Sequence, residues 1–100
     1  MTERRVVITG MGVISPVGND VETFWKNLVA GKSGVSKVTQ FDTTGYACQI
    51  GGEVKDFDYV PFFKVPKDGK RCDRYAGLGV AAAKMALDDS GVDLTQIDPT

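Results

Sequence analysis

The sequence contains no histidine among its 100 residues. Imidazole is the usual base beside a catalytic nucleophile and a common metal ligand, so its absence argues against both kinds of site. Cysteine is also scarce, because Cys48 and Cys72 are the two thiols of the chain. Two cysteines make no disulfide framework, and we expect both to be reduced and partly buried. The sequence therefore predicts no catalytic residue, no metal ligand and no cofactor within residues 1–100.

Long apolar runs and an excess of one charge are missing as well. The first apolar run closes at Gly10, which makes it too short for a signal peptide or a membrane span. Twelve basic and 13 acidic residues give a net charge of -1, whereas a nucleic-acid-binding domain of this size usually carries a clear basic excess. We therefore expect a cytoplasmic protein that binds neither nucleic acid nor membranes.

The opening of the chain is its most informative segment. Arg4–Ile8 is typical of a buried strand and is followed by Gly10-Met11-Gly12, as in the first turn of dinucleotide-binding folds. In those folds the glycine loop leads directly into a helix. Here Ser15-Pro16-Val17-Gly18 interrupts the chain, because the residue before a proline is pushed out of the helical conformation. A nicotinamide-binding module is therefore disfavoured, and the two glycines are predicted to form a tight strand-to-loop turn.

A first helix is predicted after this loop. Asn19 and Glu22 match a capping box, and Gly31 marks the end of the helix. The apolar residues between them recur with helical spacing and form one stripe, which we expect to be core. The stripe consists of Val21, Phe24, Trp25, Leu28 and Val29.

The middle of the chain, residues 33–72, is less regular. Ala47–Val54 has strand character, and Gly51-Gly52 within it predicts a bulge or a close backbone approach. Asp56–Phe63 is a loop rich in aromatic residues. Its rings either pin a surface segment to the core, which we favour, or belong to a surface that faces a partner.

A second helix is predicted over Arg74–Ser90, ending at Gly91, and it is apolar almost all round. Gly77 and Gly79 would weaken such a helix, so we expect another backbone to pass close to them. The chain then runs into a predicted loop at Asp98–Thr100, with no terminal element to close the fold.

Short motifs along the chain occur in a recognisable order. Besides the opening segment they are Trp25-Lys26, Gly31-Lys32-Ser33-Gly34, Phe41-Asp42, Gly52-Glu53-Val54, Cys72-Asp73-Arg74 and Ala86-Leu87-Asp88-Asp89-Ser90-Gly91. The series resembles the N-terminus of the β-ketoacyl-acyl-carrier-protein synthases, the condensing enzymes of fatty acid synthesis, particularly the second type. The resemblance implies an α/β, thiolase-like layered fold, usually a homodimer. This chain would supply its N-terminal portion only, the first strand plus peripheral helices, so that residues 1–100 form an N-terminal segment with the fold incomplete at residue 100.

The resemblance also implies an acyltransferase reaction. In that family a cysteine accepts the acyl chain as a thioester, and two histidines assist the decarboxylation of malonyl-carrier protein. The resulting carbanion attacks the thioester and lengthens the chain by two carbons. These three residues are expected downstream, because neither Cys48 nor Cys72 lies in the small-residue turn of the family's nucleophile. The segment alone is predicted to be inactive and to need no cofactor.

A group of basic residues is the candidate binding surface. In the resembled family, positions corresponding to Lys67, Lys70 and Arg71 meet the acidic helix of the acyl carrier protein. The complete candidate set is Lys64, Lys67, Lys70, Arg71 and Arg74. Pro66 and Asp68-Gly69 depart from the helical pattern common in that region. The alternative interpretation is a solvated basic loop.

Two related functions remain open. A non-catalytic chain-length-factor subunit keeps the same scaffold without the nucleophilic cysteine, and a ketosynthase domain of a polyketide synthase shares it as well. Residues 1–100 do not separate these from an elongating synthase.

Overall fold

The computed structural model describes residues 3–98, with helices joined by loops and one two-stranded sheet. The helices are α1 (Val21–Val29), α2 (Pro66–Arg71) and α3 (Arg74–Ser90), and the strands are β1 (Val35–Lys37) and β2 (Ile50–Gly52). Short 3₁₀ helices lie at Val60–Phe62 and Leu94–Gln96. The strands pair antiparallel, with Val35 opposite Gly52 and Lys37 opposite Ile50. The loop predicted at Asp98–Thr100 falls largely outside the described residues.

The opening segment lies directly against α3. A β-carbon on Gly10 would overlap the carbonyl oxygen of Ala86, and one on Gly12 would overlap that of Ala82. The backbone N–H of Met11 donates to Asp89 Oδ2 at 3.0 Å, which fixes the register. Neither glycine has a positive φ, and the structure assigns no turn to residues 3–14. The prediction of a tight turn is therefore wrong, because the glycines serve a close approach of backbone to helix.

The strand predicted at Arg4–Ile8 is also absent from the described structure, which assigns no strand to residues 3–14. A strand requires a hydrogen-bonded neighbour, and none of the described residues provides one here. Val6 and Ile8 are 96% and 87% exposed as a result.

Residues 15–18 form a hydrogen-bonded turn that packs against the sheet. Ser15 and Gly18 exchange backbone hydrogen bonds of 3.0 and 3.2 Å, and Ser15 Oγ accepts from the N–H groups of Val17 and Gly18. Pro16 packs on the hairpin, since a β-carbon on Gly52 would lie 3.1 Å from Pro16 Cγ. Gly51 and Gly52 are in regular register. The bulge predicted at Gly51-Gly52 is thus absent, and the group that lies close to Gly52 is the side chain of Pro16 rather than another backbone.

The N-cap of helix α1 lies one residue later than predicted. The Thr23 N–H donates to Asp20 Oδ1 at 2.6 Å, so Asp20 is the N-cap. Asn19 instead donates from Nδ2 to the carbonyl of Lys55 at 3.0 Å, linking this loop to the segment after β2. The helix ends before Gly31, whose φ of 73° favours glycine.

The stripe of α1 is not core in the described structure. Val21 and Phe24 are half-buried, but Trp25 is 63% exposed, and Leu28 and Val29 are exposed as well. The prediction for Trp25 is therefore wrong here, because no described residue covers that end of the stripe.

The predicted bounds of α3 agree with the structure, which also places Gly91 at the C-cap in the left-handed conformation. The expectation that another backbone passes close to Gly77 and Gly79 is wrong at both positions. Gly77 is buried under the ring of Tyr59, a side chain rather than a backbone, and Gly79 has nothing described within 4 Å. The backbone that passes close to α3 is that of Gly10–Gly12, on another part of its surface.

The described chain has almost no interior. Ala81 is its one fully buried apolar residue, and the accessible surface is 8215 Å². A compact monomer of this size would expose about 5,500 Å². The radius of gyration is 17.5 Å, against about 13 Å for a compact domain of 100 residues. Among residues 3–98, no helix is both long enough and apolar enough to cross a membrane.

The contact between Gly12 and α3 yields a first prediction. In the protein expressed from its complete reading frame, Gly12→Ala forces a methyl group into the Ala82 carbonyl and should lower the free energy of unfolding by about 1–3 kcal/mol. Gly51→Ala is the matched control, because its β-carbon would meet Val38 Cγ2 at an ordinary 3.4 Å. Chemical denaturation measures both, and equal stabilities for the two variants would contradict the close approach.

The missing interior yields a second prediction, for the 100-residue chain on its own. Large apolar side chains, among them Val6, Ile8 and Trp25, are exposed, and monomers rarely show an apolar patch larger than a few hundred Å². The isolated chain should therefore bind a hydrophobic dye and unfold with poor cooperativity, as followed by dye fluorescence and thermal denaturation. A monodisperse monomer with a sharp, dye-silent transition would show that these residues form a self-sufficient domain.

Candidate functional site

Three exposed cations lie on the short helix α2, and a fourth lies just before it in the chain. We call this surface the basic face, and it consists of Lys64, Lys67, Lys70 and Arg71. The ion pair recorded among residues 3–98 joins Lys84 to Asp88 on α3, so the basic face has no recorded ion pair with a described carboxylate, and Asp68 is the acidic residue on the same helix. These charges are available to a partner that carries the opposite sign.

Helix α2 forms despite the proline and glycine in its sequence. Pro66 occupies its first turn, where a missing N–H costs nothing, and Val65 precedes it in extended conformation. Asp68 lies in the first turn and Lys70 and Arg71 in the last, as the helix dipole favours. The departure from helical pattern at Pro66 and Asp68-Gly69 therefore does not break the helix.

The segment Asp56–Phe63, which we call the aromatic loop, packs against the buried side of α2. Gly69 is buried, and a β-carbon there would lie 3.0 Å from Phe63 Cδ2 and 3.2 Å from Val60 Cα. The rings of Phe63 and Tyr59 lie 6.3 Å apart, and Tyr59 covers Gly77 of α3. Two of the loop's rings are thus contacts between helices, in agreement with the favoured interpretation of the loop.

Arg74 differs from the other four candidates. It is half-buried, and its Nη2 donates to the carbonyl of Val54 at 2.8 Å. This bond ties the start of α3 to the segment after β2. Arg74 therefore has a structural partner, which the clustering of charges in the sequence did not indicate.

The two cysteines occupy unlike surroundings. Cys48 is exposed, so the prediction that it is partly buried is wrong. Cys72 is half-buried, and its thiol donates to the carbonyl of Gly69 at 3.3 Å. In the described part of the chain no group of three or more His, Cys, Asp or Glu residues is arranged to hold a metal ion.

Glu53 fastens the loop that follows β1. Its carboxylate accepts from the N–H of Thr39 at 2.9 Å, from Thr39 Oγ1 at 3.2 Å and from the N–H of Gln40 at 3.0 Å. The bond from the Thr39 N–H is the main reason that the pKa of Glu53 lies below its usual value, and Lys55 adds a smaller effect. The motif Gly52-Glu53-Val54 thus includes a tether that sequence analysis did not identify.

A shallow cavity of about 320 Å³ lies beside the Ser15–Gly18 turn. Its walls already use their polar groups: Asn27 Nδ2 donates to the Val17 carbonyl and Lys55 Nζ to Ser36 Oγ. The residues that line it are Ser15, Pro16, Val17, Gly18, Asn19, Asp20, Thr23, Asn27 and Lys55.

Comparison with known proteins assigns the family. The model for the β-ketoacyl synthase N-terminal domain matches residues 3–100. The chain therefore belongs to the β-ketoacyl synthase family. It is 46% identical over 96 residues to 3-oxoacyl-[acyl-carrier-protein] synthase 2 of Vibrio harveyi, and 38% identical over 98 residues to the protein of the same name from a Synechocystis species.

These matches cover 96% and 98% of this chain but only 23% of each relative, so the chain spans about a quarter of their length. A chain in the solved structure of the ishigamide ketosynthase/chain length factor superposes with a TM-score of 0.83 at 41% identity. That match covers 96% of this chain and 24% of the other.

The Glu53 tether yields a third prediction. Because its folded-state pKa is depressed, the carboxylate contributes stability above its unfolded pKa of about 4.3, and this stability is lost as the pH falls through the folded value. Glu53→Gln should therefore be less stable than the natural protein at pH 7, and the difference should shrink as the pH falls below about 4.

Denaturation at a series of pH values measures this effect. Glu3→Gln is the matched control, because the exposed Glu3 lies outside every helix of the described residues and no hydrogen bond to its carboxylate is recorded there. A Glu53→Gln defect of the same size at every pH would show that the ionised carboxylate is not the stabilising group.

Proposed function

We propose that these residues are part of a 3-oxoacyl-[acyl-carrier-protein] synthase, an acyltransferase that elongates acyl chains in fatty acid biosynthesis. Membership of the β-ketoacyl synthase family supports this function, as do the names of the relatives that match nearly the whole chain. The reaction is the decarboxylative condensation of acyl-carrier protein with malonyl-carrier protein. The nucleophilic cysteine and two histidines would lie outside residues 1–100.

Within that enzyme this segment acts as scaffold and as a docking site for the acyl carrier protein. The observation that supports docking is the basic face. Its four cations are exposed, and none is recorded in an ion pair with a carboxylate of residues 3–98. An acidic partner would gain charge-assisted contacts there. Arg74 supports the docking site indirectly, because its guanidinium is bound to the Val54 carbonyl.

The proposal extends to the architecture of the whole enzyme. A thiolase-like layered fold is supported by the superposition on a ketosynthase/chain length factor chain. A homodimer in the cytoplasm is what resemblance to the condensing enzymes implies. The exposed apolar residues of the opening segment and α1 are consistent with burial against further parts of such a fold.

A chain-length-factor subunit or a polyketide ketosynthase domain is the alternative. The solved relative carries chain length factor in its description, whereas the sequence relatives are named as elongating synthases and favour the first function. Incubation of the protein from its complete reading frame with acyl- and malonyl-carrier protein separates a condensing enzyme from a chain-length-factor subunit. Formation of 3-oxoacyl-carrier protein supports the synthase, and its absence supports the non-catalytic subunit.

The docking role yields a fourth prediction. Reversing Lys67 and Lys70 together to glutamate should raise KM for substrates borne on carrier protein, because complementary charge accelerates and orients the encounter. The defect should shrink as salt is added, since screening at physiological ionic strength acts over about 8 Å. Steady-state kinetics over a range of salt concentrations measures both effects.

Two controls make this prediction specific. A small thioester mimic that needs no docking should be turned over normally by the variant. Reversing Lys26 and Lys32, which are exposed near the end of α1, changes the net charge equally and should have little effect on either substrate. If the Lys67/Lys70 reversal slows both substrates alike, or neither, the docking role is wrong.

A further inference from the structure

Helix α2 has little intrinsic tendency to form. It spans six residues, well below the 12–15 that an isolated helix needs, and it contains a glycine that costs about 1 kcal/mol relative to alanine. Its conformation must therefore come from contacts with the rest of the chain. One such contact is at Gly69, where a β-carbon would lie close to Phe63 and Val60.

The geometry of the helix separates its charged side from this contact. At about 100° per residue, Lys67, Lys70 and Arg71 share one side, and Gly69 faces roughly 150° away from their mean direction. The structure agrees, because Gly69 is buried and the three cations are exposed. The inward side of α2 can lie close to the aromatic loop only where no side chain intervenes.

We propose that Gly69 is a positioning residue, which seats α2 on Phe63 and thereby places the basic face for its partner. This inference rests on the proposed docking function and adds to it the residue that sets the geometry of the docking surface. A β-carbon at position 69 would lie 3.0 Å from Phe63 Cδ2, its nearest neighbour, and 3.2 Å from Val60 Cα, so a large side chain there would push α2 away from the Phe63 ring. The charges would remain, but their position would change.

Cys72 provides a readout of this seating that does not depend on docking. Its thiol donates to the carbonyl of Gly69, and its N–H donates to the carbonyl of Asp68 at 3.2 Å. Both bonds lie within α2 and its C-cap and therefore move with the helix. We expect displacement of α2 from the aromatic loop to increase the exposure of the half-buried Cys72 thiol. Alkylation of the native protein, followed by mass spectrometry of the peptide that contains Cys72, measures it directly.

The test uses Gly69→Leu in the protein from its complete reading frame. Leucine favours helices more than glycine does, so a loss cannot come from weaker helix propensity. We expect KM for carrier-protein-borne substrate to rise about tenfold and Cys72 alkylation to rise several-fold, with turnover of the small thioester mimic unchanged. Val65→Leu adds a leucine at the exposed N-cap of α2 without any change of charge and should leave all three measurements near their natural values.

A double variant tests whether the Phe63 ring is the cause of the Gly69→Leu defect. Phe63→Ala removes the ring beneath position 69, and in combination with Gly69→Leu it should restore both the low KM and the slow alkylation of Cys72. A Gly69→Leu variant with natural KM and natural alkylation would overturn the proposal. So would an equal loss with both substrates that Phe63→Ala does not relieve, since that indicates general damage.

The remaining outcomes separate this inference from the docking function. If the Lys67/Lys70 reversal raises KM but Gly69→Leu does not, docking stands and the positioning role is refuted. If neither raises KM while Gly69→Leu increases Cys72 alkylation, the seating is established and the docking function is refuted.

Discussion

The arrangement of this chain depends on how closely its opening segment approaches helix α3. Gly10 contacts Ala86 and Ser90, and Gly12 contacts Ala82 and Ala86, so the segment runs antiparallel to the helix. Two residues of extended chain advance about 6.6 Å and one four-residue step of a helix about 6.0 Å, so the two spacings match. Small residues on both partners let the backbones meet, and no larger side chain fits at either glycine.

Helix α3 is consequently held from two sides by contacts that both depend on glycine. The opening segment covers it at Ala82 and Ala86, and Tyr59 covers it at Gly77. Ala81, the fully buried apolar residue of the described chain, lies between these contacts in sequence. From Tyr59 the packing continues through Phe63 to α2, so the basic face is positioned by a continuous series of contacts that begins at α3.

Local signals predicted those parts of the fold that local forces determine. The bounds of α3 followed from its apolar pattern and from Gly91, whose left-handed conformation ends the helix. Sequence reasoning failed where distant partners decide. The Arg4–Ile8 segment has strand composition but no described neighbour to pair with, and Trp25 has helical periodicity but nothing described above it.

The candidate site shows the same division. Clustering of Lys67, Lys70 and Arg71 was visible because charge is a property of the sequence itself. The bond from Arg74 to the Val54 carbonyl was not, because it spans 20 positions and a backbone acceptor leaves no trace in residue type. In the sequence Gly69 departs from helical pattern, whereas the structure shows it buried within α2. Propensity describes the isolated segment, and tertiary contact overrides it.

Exposure has opposite physical meanings on the two kinds of surface that this chain presents. Water solvates the cations of the basic face, so that face is stable without a partner, and association there adds mainly rate and orientation. Val6, Ile8 and Trp25 are exposed apolar groups, and removing each of them from water lowers the free energy of the protein. In the proposed synthase the apolar surfaces would therefore be covered permanently by the fold, and the basic face would remain open for successive carrier proteins.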